Sequence, residues 1–299
     1  MRTAFIQELI NQARRNQSLF LIVGDLGYSV VEPFAQEFPD RFLNAGVAEQ
    51  NMVGVASGLA AEGYHVFTYS IANFSTLRCL EQIRNDVGYH KAPVTAVSVG
   101  AGLAYGNLGY SHHAVQDIGV MRALGSLTIL SPADPGESRE CVEWLANNPR
   151  PSYLRIGKAG EANLHDIRGI ANGPIEVKRS TGKIAIAATG SILSVALEAA
   201  KLAEEKGIGV SVYSCPWLHP VTPDFFAPLR WFEHIFALEE HMPYGGLASI
   251  LRDAPLLESK VHSIALNPEP PASVGSQRYL RDMSGLDANS ILNRIVSLS

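Results

Sequence analysis

Cysteine is scarce. Three occur in 299 residues, Cys79, Cys141 and Cys215, an odd number at wide spacing. Neither a disulfide framework nor a zinc-ligand pattern can be assembled from them, so buried thiols in a reducing compartment are expected. Long apolar runs are missing too. No stretch approaches the roughly 20 residues that span a bilayer, and the opening MRTAFIQELINQARR has no apolar core of a secretory signal. A cytoplasmic protein with no membrane role is the expectation. An excess of one charge is also lacking. Charged residues make up 18% and the net charge is −5, which excludes the basic footprint of a nucleic-acid binder and an acidic disordered tail. Internal repeats and low-complexity segments are absent. What is present is 46% hydrophobic residues, enough for the buried cores of two domains in a chain of this length.

Short apolar, β-branched runs alternate with helical patterns. Strands are expected at 19–23, 65–69, 94–99, 127–130 and 153–156, and helices at 3–16, 48–62, 76–89 and 135–147. The strands are too uniformly apolar to have one face in water. The fold class is therefore α/β, a parallel sheet sandwiched by helices, followed by a smaller α/β domain. Between 157 and 182 the chain turns rich in Gly, Asn, Lys and Asp. This sets a first domain at 1–165, a linker at 166–180 and a second domain at 181–299. The second is expected to hold strands at 184–188, 210–213 and 235–238, with helices at 191–206 and near 246–252 and 290–296.

Residues 44–63, NAGVAEQNMVGVASGLAAEG, place one carboxylate, Glu49, at the start of an otherwise uncharged helix. Asn44 is a plausible cap, Gly63 a stop, and Gly54 and Gly58 permit close approach of a neighbouring element. Read on its own, Glu49 complements the helix dipole. The whole string, however, closely resembles the thiamine diphosphate-binding helix of transketolases. That resemblance implies that Glu49 hydrogen-bonds the aminopyrimidine of the cofactor and drives its activation, a task suited to a partly buried carboxyl group.

The next segment, HVFTYSIANFSTLRCLEQIRNDVGYH, again resembles this family. There a strand leads through an aromatic-bearing turn into a helix, and one aromatic stacks on the pyrimidine. Phe74 is the first candidate and Tyr69 the second, because a flat heterocycle is well held by an aromatic face. Arg78, Glu81 and Arg84 stand at helical spacing and are expected to form surface ion pairs or to face an interface. The loop GAGLAYGNLGYSHHAVQD carries adjacent histidines. Ser111, His112, His113, Gln116 and Asp117 resemble the family's substrate-channel pattern, with His112 on the histidine that contacts the donor sugar and stabilises developing charge, and His113 a second substrate contact. The family Asp that reads donor stereochemistry falls on Leu108, so a donor other than xylulose 5-phosphate is open. Arg2, Ser29 and Lys158 fall on the family's phosphate contacts.

One half of a transketolase is missing. The nearest string to its metal-binding Gly-Asp-Gly is Gly24-Asp25-Leu26-Gly27, which departs from the pattern and is not expected to hold metal. The resemblance then implies the C-terminal subunit of a split transketolase. Its thiamine diphosphate and Mg²⁺ would be shared with an N-terminal diphosphate-binding subunit that ligates the metal, in an α2β2 heterotetramer acting on sugars or sugar phosphates. Glu239-Glu240-His241 and Gly245-Gly246 resemble a segment of the family's C-terminal domain. Two other readings stay open: a subunit of a decarboxylating relative, similar to deoxyxylulose-phosphate synthase or the 2-oxoacid dehydrogenase beta chain, and a non-catalytic subunit of this fold.

Overall fold

The computed structural model describes residues 1–166, 169–170, 173–254, 258–269 and 273–298. In the first half of the chain lie β1 (Leu19–Val23), β2 (Phe42–Asn44), β3 (His65–Ile71), β4 (Val94–Val99), β5 (Thr128–Leu130) and β6 (Ser152–Ile156). In the second lie β7 (Ile175–Lys178), β8 (Ile184–Thr189), β9 (Val210–Ser214), β10 (Trp217–His219), β11 (His234–Glu239) and β12 (Lys260–Ile264). They form a seven-stranded sheet ordered β10-β5-β6-β4-β3-β1-β2 and a five-stranded sheet ordered β12-β11-β8-β9-β7. Each sheet is parallel except for one edge strand, β10 in the first and β7 in the second.

Burial explains the parallel topology. Every residue of β4 and β6 is buried, as is β3 up to its last residue. Strands covered on both faces need crossover helices, and these supply the cover. The helices Arg2–Arg15 and Pro135–Asn147 pack on each other, while Glu49–Ala61 packs on β3. Local chemistry sets the boundaries. Asp134 caps the helix Pro135–Asn147 by accepting the N–H of Glu137 at 2.9 Å, with Pro135 at its first turn. Gly63, at φ +95°, ends Glu49–Ala61.

Three features depart from the sequence expectations. Ile175–Lys178, inside the stretch read as linker, is the edge strand β7. Within that stretch residues 167–168 and 171–172 lie outside the described residues. The strand β10 crosses back and pairs with β5, joining the domains through the backbone. The helix expected at 76–89 is broken into a 3₁₀ turn at Leu77–Cys79, a short α turn at Leu80–Gln82 and a π-helical stretch at Ile83–Tyr89. All three cysteines are free and buried. Among the described residues no helix is long and apolar enough to cross a membrane.

Candidate active site

In a parallel sheet the carboxyl ends of the strands share one edge, and ligands bind there. The ends of β1, β3, β4 and β6 and the first turn of the helix Glu49–Ala61 meet at this edge. Glu49 is 2% exposed, and its Oε1 faces the Ser70 hydroxyl at 3.5 Å. Gly24, at the end of β1, makes room for it: a Cβ there would stand 3.4 Å from the Glu49 side chain. The expected cap is corrected. Ala48 occupies the N-cap position, and Asn44 does not cap this helix. Its side chain instead accepts the N–H groups of Asp25 and Gly46 and donates to the Asp25 carboxylate, tying down a loop in which Asp25 has φ 51°. The small face at Gly54 and Gly58 is likewise corrected, because a Cβ at either would meet nothing within 4 Å.

The irregular segment after β3 brings Phe74 and Arg78 to Glu49. Arg78 Nη1 donates to Glu49 Oε2 at 2.7 Å, so Arg78 is not the surface partner of Glu81 that helical spacing suggested. Its guanidinium carbon lies 4.3 Å from the Phe74 ring centroid. The 3₁₀ turn accounts for this pairing, since it rotates Arg78 off the face that a continuous helix would have given it. The Phe74 ring also meets the His112 ring edge-on, at 5.2 Å between centroids. Tyr69 is placed differently. Its ring is fully buried, stacked on Phe5 at 5.6 Å and pressed against Gly27, so this second candidate belongs to the core packing, whereas Phe74 is half-buried and lines a cleft.

The histidine loop folds over this group. Asn73 fastens it by donating to the carbonyls of Ser111 and His113, each at 3.0 Å. His112 is half-buried, with Nδ1 3.0 Å from the Ser111 hydroxyl. Burial, and then the neighbouring His113, push its pKa below 6.5. His113 is 1% exposed, and its Nε2 donates to the Gly106 carbonyl at 3.2 Å. Its ring therefore braces the loop more than it reaches outward. A cleft of about 320 Å³ opens alongside, walled by Phe74, Arg78, Tyr110, Ser111, His113 and Gln116. At the sheet edge a chain of contacts thus runs from the buried Glu49 through Arg78 and Phe74 to His112, and Phe74 and Arg78 wall the cleft beside it.

Comparison with known proteins agrees with this arrangement. Residues 1–160 match the family described as "Transketolase, pyrimidine binding domain", and residues 173–291 match "Transketolase, C-terminal domain". The chain belongs to the transketolase family. It is 33% identical to one of the subunits of the apulose-4-phosphate transketolase of Actinobacillus succinogenes, over 98% of this chain and 96% of that protein. To the counterpart of that protein in Phocaeicola vulgatus it is 32% identical, over 92% and 86% respectively. Among solved structures, a split-gene transketolase described as an inactive beta4 tetramer superposes with a TM-score of 0.85 at 30% identity, covering 99% of this chain and 96% of that one. The chain thus corresponds to the C-terminal subunit of a split transketolase. It is a ketol-transfer enzyme subunit with a thiamine diphosphate-dependent fold, and neither the decarboxylating nor the non-catalytic alternative is better supported.

The remaining transketolase-like positions are partly assembled. The Arg2 N–H donates to the Lys158 carbonyl at 3.1 Å, so these two are adjacent at the sheet edge. Arg2 Nε is buried without a hydrogen-bond partner. Burial raises the pKa values of the nearby Tyr69 and Tyr105 phenols, with the charge of Arg2 opposing. Ser29 sits on the loop after β1 at φ 62°, its N–H donating to Glu32 at 2.7 Å. Leu108 is half exposed. Among the described residues no group of three or more His, Cys, Asp or Glu is arranged to hold a metal ion. Glu239 accepts the N–H groups of Leu247 and Ala248, and Glu240 pairs with Arg281 at 2.6 Å, so this segment braces the second domain.

Two neighbours of the candidate site escaped the sequence reading. Asn73 carried no signal of its own. Arg155 did carry one, as a single charge in an otherwise apolar strand. It is 2% exposed and pairs with Asp117 at 2.7 Å, directly beneath the histidine loop.

Proposed function

We propose that this chain supplies the pyrimidine half of a transketolase active site whose diphosphate half lies on a second subunit. The observation that carries the reading is the line of contacts from Glu49 through Arg78 and Phe74 to His112 at the sheet edge, with Phe74 and Arg78 walling a cleft. The pocket fits a flat heterocycle bearing N–H groups, since a guanidinium already lies on Phe74 and against Glu49. When bound, thiamine diphosphate supplies the carbon nucleophile for two-carbon ketol transfer from a ketose to an aldose. Glu49 would hold a proton shared with a ring nitrogen, and Phe74 would orient the ring. His112 would move protons at the substrate's hydroxyl oxygens, and His113 would brace the loop that carries it. Arg2, Ser29 and Lys158 would hold a substrate phosphate.

Mg²⁺ belongs, on this reading, to the partner: an N-terminal, diphosphate-binding subunit that completes an α2β2 heterotetramer. The relative solved as an inactive beta4 tetramer supports the need for that partner. Relatives named for apulose 4-phosphate make a sugar phosphate of that kind the first donor to screen. Three free, buried thiols fit a reducing, cytoplasmic setting.

The test is reconstitution with the diphosphate-binding subunit, followed by an assay of ketol transfer. Activity should require both chains, and Glu49→Gln should lower kcat by about 10²–10⁴, the range for loss of an acid–base group. Turnover by this chain alone, or full activity in Glu49→Gln, would sink the proposal.

A further inference from the structure

Arg78 has no assigned role, yet it touches both groups that the proposed pyrimidine site needs. Its Nη1 hydrogen-bonds Glu49 Oε2 at 2.7 Å while its guanidinium carbon lies 4.3 Å from the Phe74 centroid. One flat, N–H-bearing group is thereby bonded to the acid and stacked on the aromatic at once. These are the two contacts an aminopyrimidine would make. Arginine is suited to imitate it, being planar, permanently charged and a good stacking partner. The side chain is 43% exposed, whereas Glu49 is 2% exposed. The guanidinium therefore has a route out to solvent, and the carboxylate does not. Among the described residues its other guanidinium nitrogens have no protein partner.

We propose that Arg78 is a resident stand-in for the cofactor's pyrimidine. It neutralises the buried Glu49 carboxylate in the cofactor-free subunit and must swing outward before thiamine diphosphate can engage Glu49 and Phe74. The need for such a group follows from burial, because an uncompensated buried carboxylate is strongly disfavoured. The inference rests on the pyrimidine-site reading above and adds a competition to it. Apparent cofactor affinity falls by the fraction of molecules in which the site is open. If the pair is formed in nine molecules of ten, removing Arg78 tightens binding about tenfold.

The experiment is calorimetric titration of thiamine diphosphate, with Mg²⁺ present, into the reconstituted two-subunit complex. Four forms are compared: wild type, Arg78→Met, Glu49→Ala and the double variant. Arg78→Met is expected to lower Kd about tenfold in the wild-type background and to change nothing in the Glu49→Ala background. A Kd that stays the same or rises in Arg78→Met overturns the inference, and so does a gain that persists without Glu49. Failure of the underlying site reading looks different: wild type binds, and Glu49→Ala alters neither affinity nor turnover. A second readout uses the cofactor-free chain. The Arg78 guanidinium protons should exchange slowly by NMR in wild type and rapidly in Glu49→Gln. Rapid exchange in wild type also overturns the proposal.

Discussion

His112 is half-buried beside a second imidazole, and both circumstances disfavour its charged form. Its pKa therefore falls below 6.5, and at neutral pH the ring carries one N–H and one free lone pair. That is the state needed to move a proton at a sugar hydroxyl without first shedding one. NMR titration of the free chain should give His112 a midpoint below 6.5, and replacing His113 by Asn should raise it part of the way. A midpoint above 6.5 would remove the basis for this role. Ketol transfer by the complex should correspondingly decline on the acid side of that midpoint. Glu49 meets a partner contributed by another element, Arg78, and so its surroundings are not legible one residue at a time.

The segment after β6 shows how an element can be pinned by one titrating side chain. The His165 ring, 8% exposed, lies 3.0 Å from Glu137 Oε1 at the start of the helix Pro135–Asn147. Burial lowers its pKa, but the Glu137 hydrogen bond and the charges of Glu137 and Asp134 outweigh this, so the net shift is upward. A pKa raised on folding stabilises the protein below the unfolded value of about 6.5, and the gain fades as pH rises through the folded value. Urea denaturation should therefore show that His165→Gln loses more stability at pH 5.5 than at pH 8.5. An equal loss at both would mean that the ring acts only through packing. Element-scale features divide the legible from the illegible. The buried strands, the Glu49 helix and its Gly63 stop could all be read, because burial on both faces and local backbone demands leave a sequence pattern. Phe74 and His112 are singled out by family-like strings, and the structure sets their rings against each other. Arg78 could not, because its partner depends on a 3₁₀ turn that interrupts a regular helical spacing. Asn44 was misassigned because its side chain can satisfy either a helix end or a loop, and only the placement of Asp25 decides between them. A three-residue strand such as β10, flanked by Pro216 and Pro220, carries too few positions to show a period.

At the scale of the whole molecule the two domains share a seam that lies directly behind the candidate site. Arg155, on β6, pairs with Asp117 and donates to the Ala114 carbonyl of the histidine loop at 2.8 Å. Through the same nitrogen it donates to the Glu240 carbonyl of the second domain at 3.0 Å. Arg122 adds a bond to the Gly245 carbonyl at 2.8 Å. Near it the backbones meet so closely that a Cβ on Gly245 would stand 2.6 Å from Gly119 Cα. Domains joined in this way should unfold together rather than in turn. Trp144, in the first domain, lies edge-on to Trp217 of β10 at 4.7 Å between centroids, so its fluorescence reports the seam, while circular dichroism reports both sheets. The two signals should follow a single urea transition. Arg155→Met leaves the Asp117 carboxylate buried without its counter-charge, and loss of one partner from such a pair costs about 3–5 kcal/mol. The variant should unfold at markedly lower urea, with the Trp signal changing first as β10 leaves β5. It should also lose ketol transfer in the reconstituted complex, because the loop bearing His112 rests on the same guanidinium. Coincident transitions in Arg155→Met, with wild-type activity, would show that the seam and the site are independent.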